Sequence, residues 1–332
     1  MGDSRPQVAI LDDYAGVALR LADWSPVQKH SRVSVFDRHL AEDEAAEVLR
    51  PFDVICTLRE RMALPRTLLE RLPNLKLITI VGRSLPSLDM AAATERGILV
   101  AHTDFAHPRF RSVHDATPEL AWGLLIATVR NLAEEHRRMR EGAWQSTTGV
   151  TLSGKTLGLI GLGRVGKRMA EYANVFGMEV IAWSQNLTAE AAAAAGARRV
   201  EKAALFGESD VVSVHVVLSE RTRGLVGEDE LALMKPHAYL INTSRGPIVD
   251  ETAMIGALRA GRIAGAGLDA FDIEPLPPDH PLRRLPNVTL SPHLGYVTRE
   301  MLGAFYSDTV EAVAAWLDGD PIRIANPEAA RR

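Results

Sequence analysis

The sequence predicts an α/β protein made of two doubly wound parallel sheets, and three observations lead there. At 332 residues the chain is long enough for two domains of ordinary size. Short, continuously apolar β-rich runs alternate with stretches of helical spacing, the pattern of strands buried on both faces by helices. The alternation breaks once, in a polar segment with His and Pro between Ala101 and Asp115, and then resumes.

In the first series, strands are expected at Gln7 to Leu11, Arg32 to Phe36, Asp53 to Ile55, Leu75 to Val81 and Ile98 to Val100. Helical spacing occupies Ala41 to Leu49 and Pro65 to Leu72. After the break, Thr117-Pro118-Glu119 opens a long helix that is expected to run to about Arg140, with the proline where its missing N–H costs nothing. The second series places strands at Thr156 to Ile160, Glu179 to Trp183, Asp210 to Val214, Ala238 to Ile241, Ile263 to Leu268 and Val288 to Leu290. Helices fall at Arg164 to Phe176, Ala189 to Ala195, Glu228 to Met234 and Glu251 to Arg259, and Gly196 stops the alanine-rich one. A last amphipathic helix, Thr298 to Leu317, carries Met301, Phe305, Val310, Val313 and Leu317 on one side and is expected to return to the first domain.

Charge and cysteine content narrow the classes of function. With 38 Lys+Arg against 42 Asp+Glu the net charge is −4, too balanced for a chain that grips nucleic acid or an anionic membrane. Cys56 is the single cysteine, so a disulfide framework and a thiolate metal site are both excluded, in keeping with a reducing compartment. No signal-peptide segment or span-length apolar run is present, and a cytoplasmic location is expected. His102, His107 and His114 stand near Asp104 and Asp115, but their spacing suits no common metal site; a surface loop and no metal are expected.

Gly161-Leu162-Gly163-Arg164-Val165-Gly166 follows one strand and opens a helix. Within that βαβ setting the string reads as a dinucleotide fingerprint. Gly161 serves the tight turn, Gly163 the approach of a pyrophosphate, Gly166 the packing of helix on strand, and the helix N-terminus presents free N–H groups. The next strand ends in Ser184-Gln185-Asn186. No Asp there enforces NAD and no basic residue invites NADP, so both remain open, with NAD favoured. His215, at the end of its strand, is expected to border the cofactor.

Three more segments stand at strand ends: Asn242-Thr243-Ser244-Arg245-Gly246-Pro247, Gly267 to Pro275 and Ser291-Pro292-His293-Leu294-Gly295. Ligands of open α/β sheets gather at the carboxyl ends of strands, so Arg245, Glu274 and His293 are expected to converge. Hydride reduction of a 2-oxo acid needs a cation for the carboxylate and a proton donor for the nascent alkoxide. Arg245 offers a charged planar fork, His293 exchanges protons near neutrality, and Glu274 beside it favours the imidazolium and orients the ring.

With the fingerprint, these segments resemble the D-isomer-specific 2-hydroxyacid dehydrogenase family over nearly the whole chain. The resemblance implies a Rossmann nucleotide-binding domain at 104–296 and a flavodoxin-like substrate-binding domain at 1–103 and 297–332. It assigns catalysis to Arg245, Glu274 and His293, implies that Thr243 and Asp269 hold the nicotinamide end of the cofactor, and suggests a homodimer. The helix through Trp122, Leu125 and Val129 resembles the family's dimer-forming element. The loop from Val81 to Asp89 matches the family's carboxylate-binding loop at Gly82 and Asp89, but Ser84 and Pro86 depart from it. Arg83 either contacts an anionic substrate there or lies on the surface. The expected activity is NAD(P)-dependent interconversion of a D-2-hydroxy acid and a 2-oxo acid, glyoxylate or hydroxypyruvate being suitable in size. Two alternatives stand beside it: a dinucleotide-sensing module without turnover, and a dehydrogenase of some other anion.

Overall fold

The computed structural model describes residues 5–110 and 115–331. The chain divides into two compact units, Met1–Ser112 with Thr298–Arg332, and Val113–Val297.

The first unit holds β1 (Gln7–Ile10), β2 (Arg32–Val35), β3 (Val54–Cys56), β4 (Leu77–Ile80) and β5 (Leu99–His102). They pair in parallel in the order β2-β1-β3-β4-β5. The order reverses between β1 and β3, the place where such sheets offer a crevice. Helix Arg299–Leu317 returns to this unit and packs on β4, burying Met301, Phe305, Val310 and Val313. Phe305 also meets the rings of Phe105 and Phe110. The end of the chain is fastened by Asn326, whose side chain bonds the backbone of Ile98 and Val100.

The second unit contains β6 (Thr156–Ile160), β7 (Glu179–Trp183), β8 (Arg198–Arg199), β9 (Val211–Val214), β10 (Tyr239–Asn242), β11 (Gly265–Leu268) and β12 (Val288–Leu290). Their order is β12-β11-β10-β9-β6-β7-β8, again parallel throughout. Neighbouring residues of one strand enter opposite cores. Ile181, Val212 and Leu240 join one apolar cluster, whereas Val180, Ala182, Val211 and Ile241 join the other. A period of two with both faces apolar is what a sheet covered on both sides requires.

The structure corrects one element. In place of a single helix to Arg140, it has Ala116–Val129 followed by Leu132–Arg140. Asn131 interrupts them in the left-handed region (φ 52°), a conformation that asparagine tolerates better than most residues. The second helix buries no residue and is laced by pairs of Arg137 with Glu134 and Glu141, and of Arg138 with Glu134. Trp122, Leu125 and Val129 are buried within this unit, with Trp122 against Tyr172 and Phe176. Helices Met90–Glu95 and Lys202–Glu208 and the two-residue β8 are further additions to the expected elements.

Candidate active site

The order of strands in the second unit reverses at β6 and β9, and there the fingerprint turn sits. Gly161 leaves β6 with φ 94°, and a Cβ on it would stand 2.6 Å from the His215 carbonyl at the end of β9. A Cβ on Gly166 would stand 2.2 Å from the Gly161 carbonyl. These two glycines are demanded by the packing of the turn itself. Gly163, the N-cap of helix Arg164–Val175, is different, because a Cβ there would meet nothing within 4 Å. Packing gives no reason for glycine at that position, whereas a ligand backed against the helix N-terminus does. Arg164 is exposed in the first turn and Val165 half-buried beside it.

Ser184 follows β7, and the Trp183 carbonyl before it accepts from Gly161 N at 2.8 Å. His215 Nε2 lies 2.8 Å from Ser213 Oγ, and burial pushes the imidazole down to about 4. The ring is therefore neutral beside the fingerprint at physiological pH. After β10, Thr243 Oγ1 is buried without a hydrogen-bond partner among the described residues. An orphaned hydroxyl next to Arg245 fits a group supplied from outside the chain. Together with Gly163 it makes this end of the sheet suited to a dinucleotide.

Arg245, Glu274 and His293 come from the segments after β10, β11 and β12, three adjacent strands. The turn that bears Arg245 is fixed from inside: Asn242 Nδ2 donates to the Arg245 carbonyl at 3.0 Å, and Ser244 Oγ to the Val214 carbonyl at 2.9 Å. One guanidinium nitrogen of Arg245 donates to the Ser244 carbonyl at 2.7 Å. Gly246 lets the turn touch the next segment, since a Cβ there would fall 2.1 Å from the Phe271 carbonyl carbon.

Glu274 uses both oxygens. Oε1 accepts from Phe271 N at 2.9 Å, and Oε2 lies 2.6 Å from His293 Nδ1. A carboxylate only accepts, so Nδ1 carries the proton of this bond, which leaves Nε2 for proton exchange. His293 itself is in the left-handed region (φ 54°), a strained conformation that persists only where its surroundings impose it. Asp269 supplies that constraint by accepting from Leu294 N at 2.7 Å and Gly295 N at 3.0 Å. Burial raises the Asp269 carboxyl above its usual range, against the pull of those amides and of His293. Its two bonds to the turn after His293 were not foreseeable from the residue type.

Gly82 and Arg83 belong to the first unit, in the loop after β4. Gly82 (φ 107°) already donates its N–H to Thr103 Oγ1 at 2.9 Å, so that amide is engaged within the protein. Arg83 is exposed. Asp89 caps helix Met90–Glu95 by accepting from Ala92 N. Sequence reasoning missed Arg59, whose Nη1 lies 3.6 Å from where a Gly82 Cβ would be. Its signal was a pair of arginines, Arg59 and Arg61, just after β3 at the switch point. Of the histidines near the break in the pattern, His102 contacts its neighbour's carbonyl and His107 accepts from Arg109, while His114 lies outside the described residues.

Residues 122–295 match the model of the D-isomer specific 2-hydroxyacid dehydrogenase, NAD binding domain. The chain belongs to this family. It is 35% identical to a glyoxylate reductase of Aeropyrum pernix, over 98% of this chain and 97% of that one. It is also 35% identical to a hydroxypyruvate reductase of Thermotoga maritima, over 81% of this chain and 86% of that one. The crystal structure of a putative D-3-phosphoglycerate dehydrogenase oxidoreductase from Ralstonia solanacearum superimposes with a TM-score of 0.87, at 33% identity and 98% coverage of both chains. This D-2-hydroxyacid dehydrogenase is accordingly an NAD(P)-dependent oxidoreductase that interconverts a D-2-hydroxy acid and a 2-oxo acid by hydride transfer.

Proposed function

We propose that the chain reduces glyoxylate, hydroxypyruvate or a similarly small 2-oxo acid, and oxidises the matching D-2-hydroxy acid, with NAD favoured over NADP. The 2.6 Å bond between Glu274 and His293, beside the Arg245 turn, carries the reading. Arg245 holds the substrate carboxylate with its fork. His293 gives its proton to the substrate oxygen during reduction and takes it back during oxidation, while Glu274 orients the ring through Nδ1.

Gly161, Gly163, Arg164, Val165, Gly166, Ser184, His215, Thr243, Arg245 and Asp269 form the cofactor site, with Asp269 acting mainly by holding the turn after His293. When bound, the nicotinamide ring supplies or receives the hydride. The neutral His215 and the uncharged Ser184 give no cation for a 2′-phosphate, which supports NAD. The protein works as a cytoplasmic homodimer. Cys56, buried and with its thiol pushed up to about 12, is inert in such a compartment.

The test is a panel of 2-oxo acids with NADH and NADPH, followed at the nicotinamide absorbance band. Turnover is expected with glyoxylate or hydroxypyruvate, and faster with NADH. Dinucleotide binding without turnover on any acid would put a sensing module in its place.

A further inference from the structure

The second unit contains another His and Glu pair, which the chemistry above does not use. His280 Nε2 lies 3.0 Å from Glu251 Oε1, and the two side chains are only 15% and 19% exposed. Leu282 N donates towards His280 Nδ1 at 3.4 Å, which leaves the ring proton on Nε2 and makes His280 the donor to the carboxylate. Glu251 opens helix Glu251–Arg259, whose N-cap Asp250 closes the segment that began with the Arg245 turn. His280 stands at the far end of the loop that Glu274 begins, and it caps the short helix Pro281–Arg284.

That loop is folded as one piece. Arg283 donates to the carbonyls of Leu276 at 2.7 Å and Pro277 at 2.8 Å, and His280 N donates to the Pro277 carbonyl at 3.1 Å. Leu276 is buried in the apolar cluster beneath. At its start, the same loop meets the Arg245 turn where Gly246 touches Phe271, whose N–H holds Glu274. Beyond the strand pairing, the backbone approach at Gly246 and the pair of Glu251 with His280 join the segments that bear Arg245 and Glu274. Asp272 lies within electrostatic range of Glu251, Arg223, Asp250 and His280, and its carboxyl is raised by burial and by its acidic neighbours. Without His280, Glu251 would be a largely buried carboxylate near that of Asp272, and repulsion would part the segments.

We propose that Glu251 and His280 form a positioning brace that holds the Arg245 turn against the Glu274 loop, so that carboxylate clamp and proton donor keep one geometry. The inference rests on the roles proposed above for Arg245, Glu274 and His293. Misplacing such groups by an ångström costs up to about 100-fold in rate even when the altered residue is remote from the chemistry.

The test compares Glu251→Ala, His280→Ala and Glu251→Gln with the wild type, using the best 2-oxo acid. Both alanine variants are expected to lose about 10- to 100-fold in kcat, to displace the pH profile of reduction, and to bind the dinucleotide with little change. Glu251→Gln, which keeps the acceptor oxygen, should recover most of the rate. The double alanine variant should be no worse than either single one, because the pair acts as a unit. Folded alanine variants with wild-type kcat and pH profile, or a glutamine variant no better than alanine, would overturn the brace. If an alanine variant does not fold, Glu251→Asp replaces it, keeping charge but shortening reach; it should lower kcat, and an unchanged kcat overturns the proposal. His293→Ala separates the two claims. Turnover that survives it removes the dyad's assigned chemistry, whereas turnover lost there but intact in Glu251→Ala removes the brace alone.

Discussion

Gly163 and Gly166 stand three residues apart and are glycine for different physical reasons, which a pair of substitutions can separate. Gly166→Ala would drive a Cβ to 2.2 Å from the Gly161 carbonyl, so lower thermal stability is expected even without cofactor. Gly163→Ala meets open space and should melt close to the wild type while binding NADH several-fold more weakly, as read by thermal denaturation and fluorescence titration. At the dyad, the measurable quantity is the pH dependence of each direction. Reduction spends a proton from His293 and should slow as pH rises; oxidation needs the neutral ring and should slow as pH falls. His215 cannot produce these limbs, since burial keeps it neutral down to about 4. Glu274→Gln retains the shape of the side chain but removes the charge that accepts from His293 Nδ1 at 2.6 Å, so kcat in both directions should fall about tenfold or more while dinucleotide binding changes little. A variant with wild-type kcat would show that Glu274 does not support His293.

Among the elements, the segment 116–140 shows how a local signal can be right in kind and wrong in extent. Helical spacing runs through it, yet Asn131 turns left-handed and starts a second helix. Asn131→Gly should leave stability nearly unchanged, whereas Asn131→Val should cost on the order of 1 to 2 kcal/mol in chemical denaturation, because a β-branched residue resists φ 52°. The strands and fingerprint were legible because their signals are periodic or contiguous: apolar runs of four or five residues, and three glycines after one of them. Arg245, Glu274 and His293 were legible because each follows a strand. The clamp of Asp269 on Leu294 and Gly295, the pair of Glu251 with His280, and Arg59 beside Gly82 left no such trace. Each joins residues more than twenty positions apart, and only the packing of separate loops brings them together. The two-residue β8 was hidden for another reason, since Arg198-Arg199 is an exposed edge of charged residues with no apolar alternation.

On the scale of the whole molecule, helix Leu132–Arg140 and the chain after it are hard to account for in a lone protomer. The helix has no buried residue, and Leu132, Met139 and Trp144 are 51%, 63% and 74% exposed. A nine-residue helix is marginal in water, and exposed ion pairs such as Arg137 with Glu134 add little. Glu135 spends its carboxylate on Ser146 and Thr147, holding the exposed strand of chain beside the helix in a defined shape. Three large apolar side chains presented to solvent by one segment are what the proposed homodimer would cover, and its interface is tested there. The helix Ala116–Val129 buries most of its apolar residues in its own unit, so the exposed helix after it is the part of this segment to test as an interface. Light scattering after size exclusion is expected to give twice the chain mass for the wild type. Trp144→Asp combined with Leu132→Asp should shift the species to monomer, because charged side chains at the core of an interface must be desolvated without partners. The fold of the second unit should survive, as neither side chain joins its core, and circular dichroism should be nearly unchanged. A wild type that runs as a monomer at micromolar concentration, or a double variant that remains a dimer, would place the interface elsewhere or remove it.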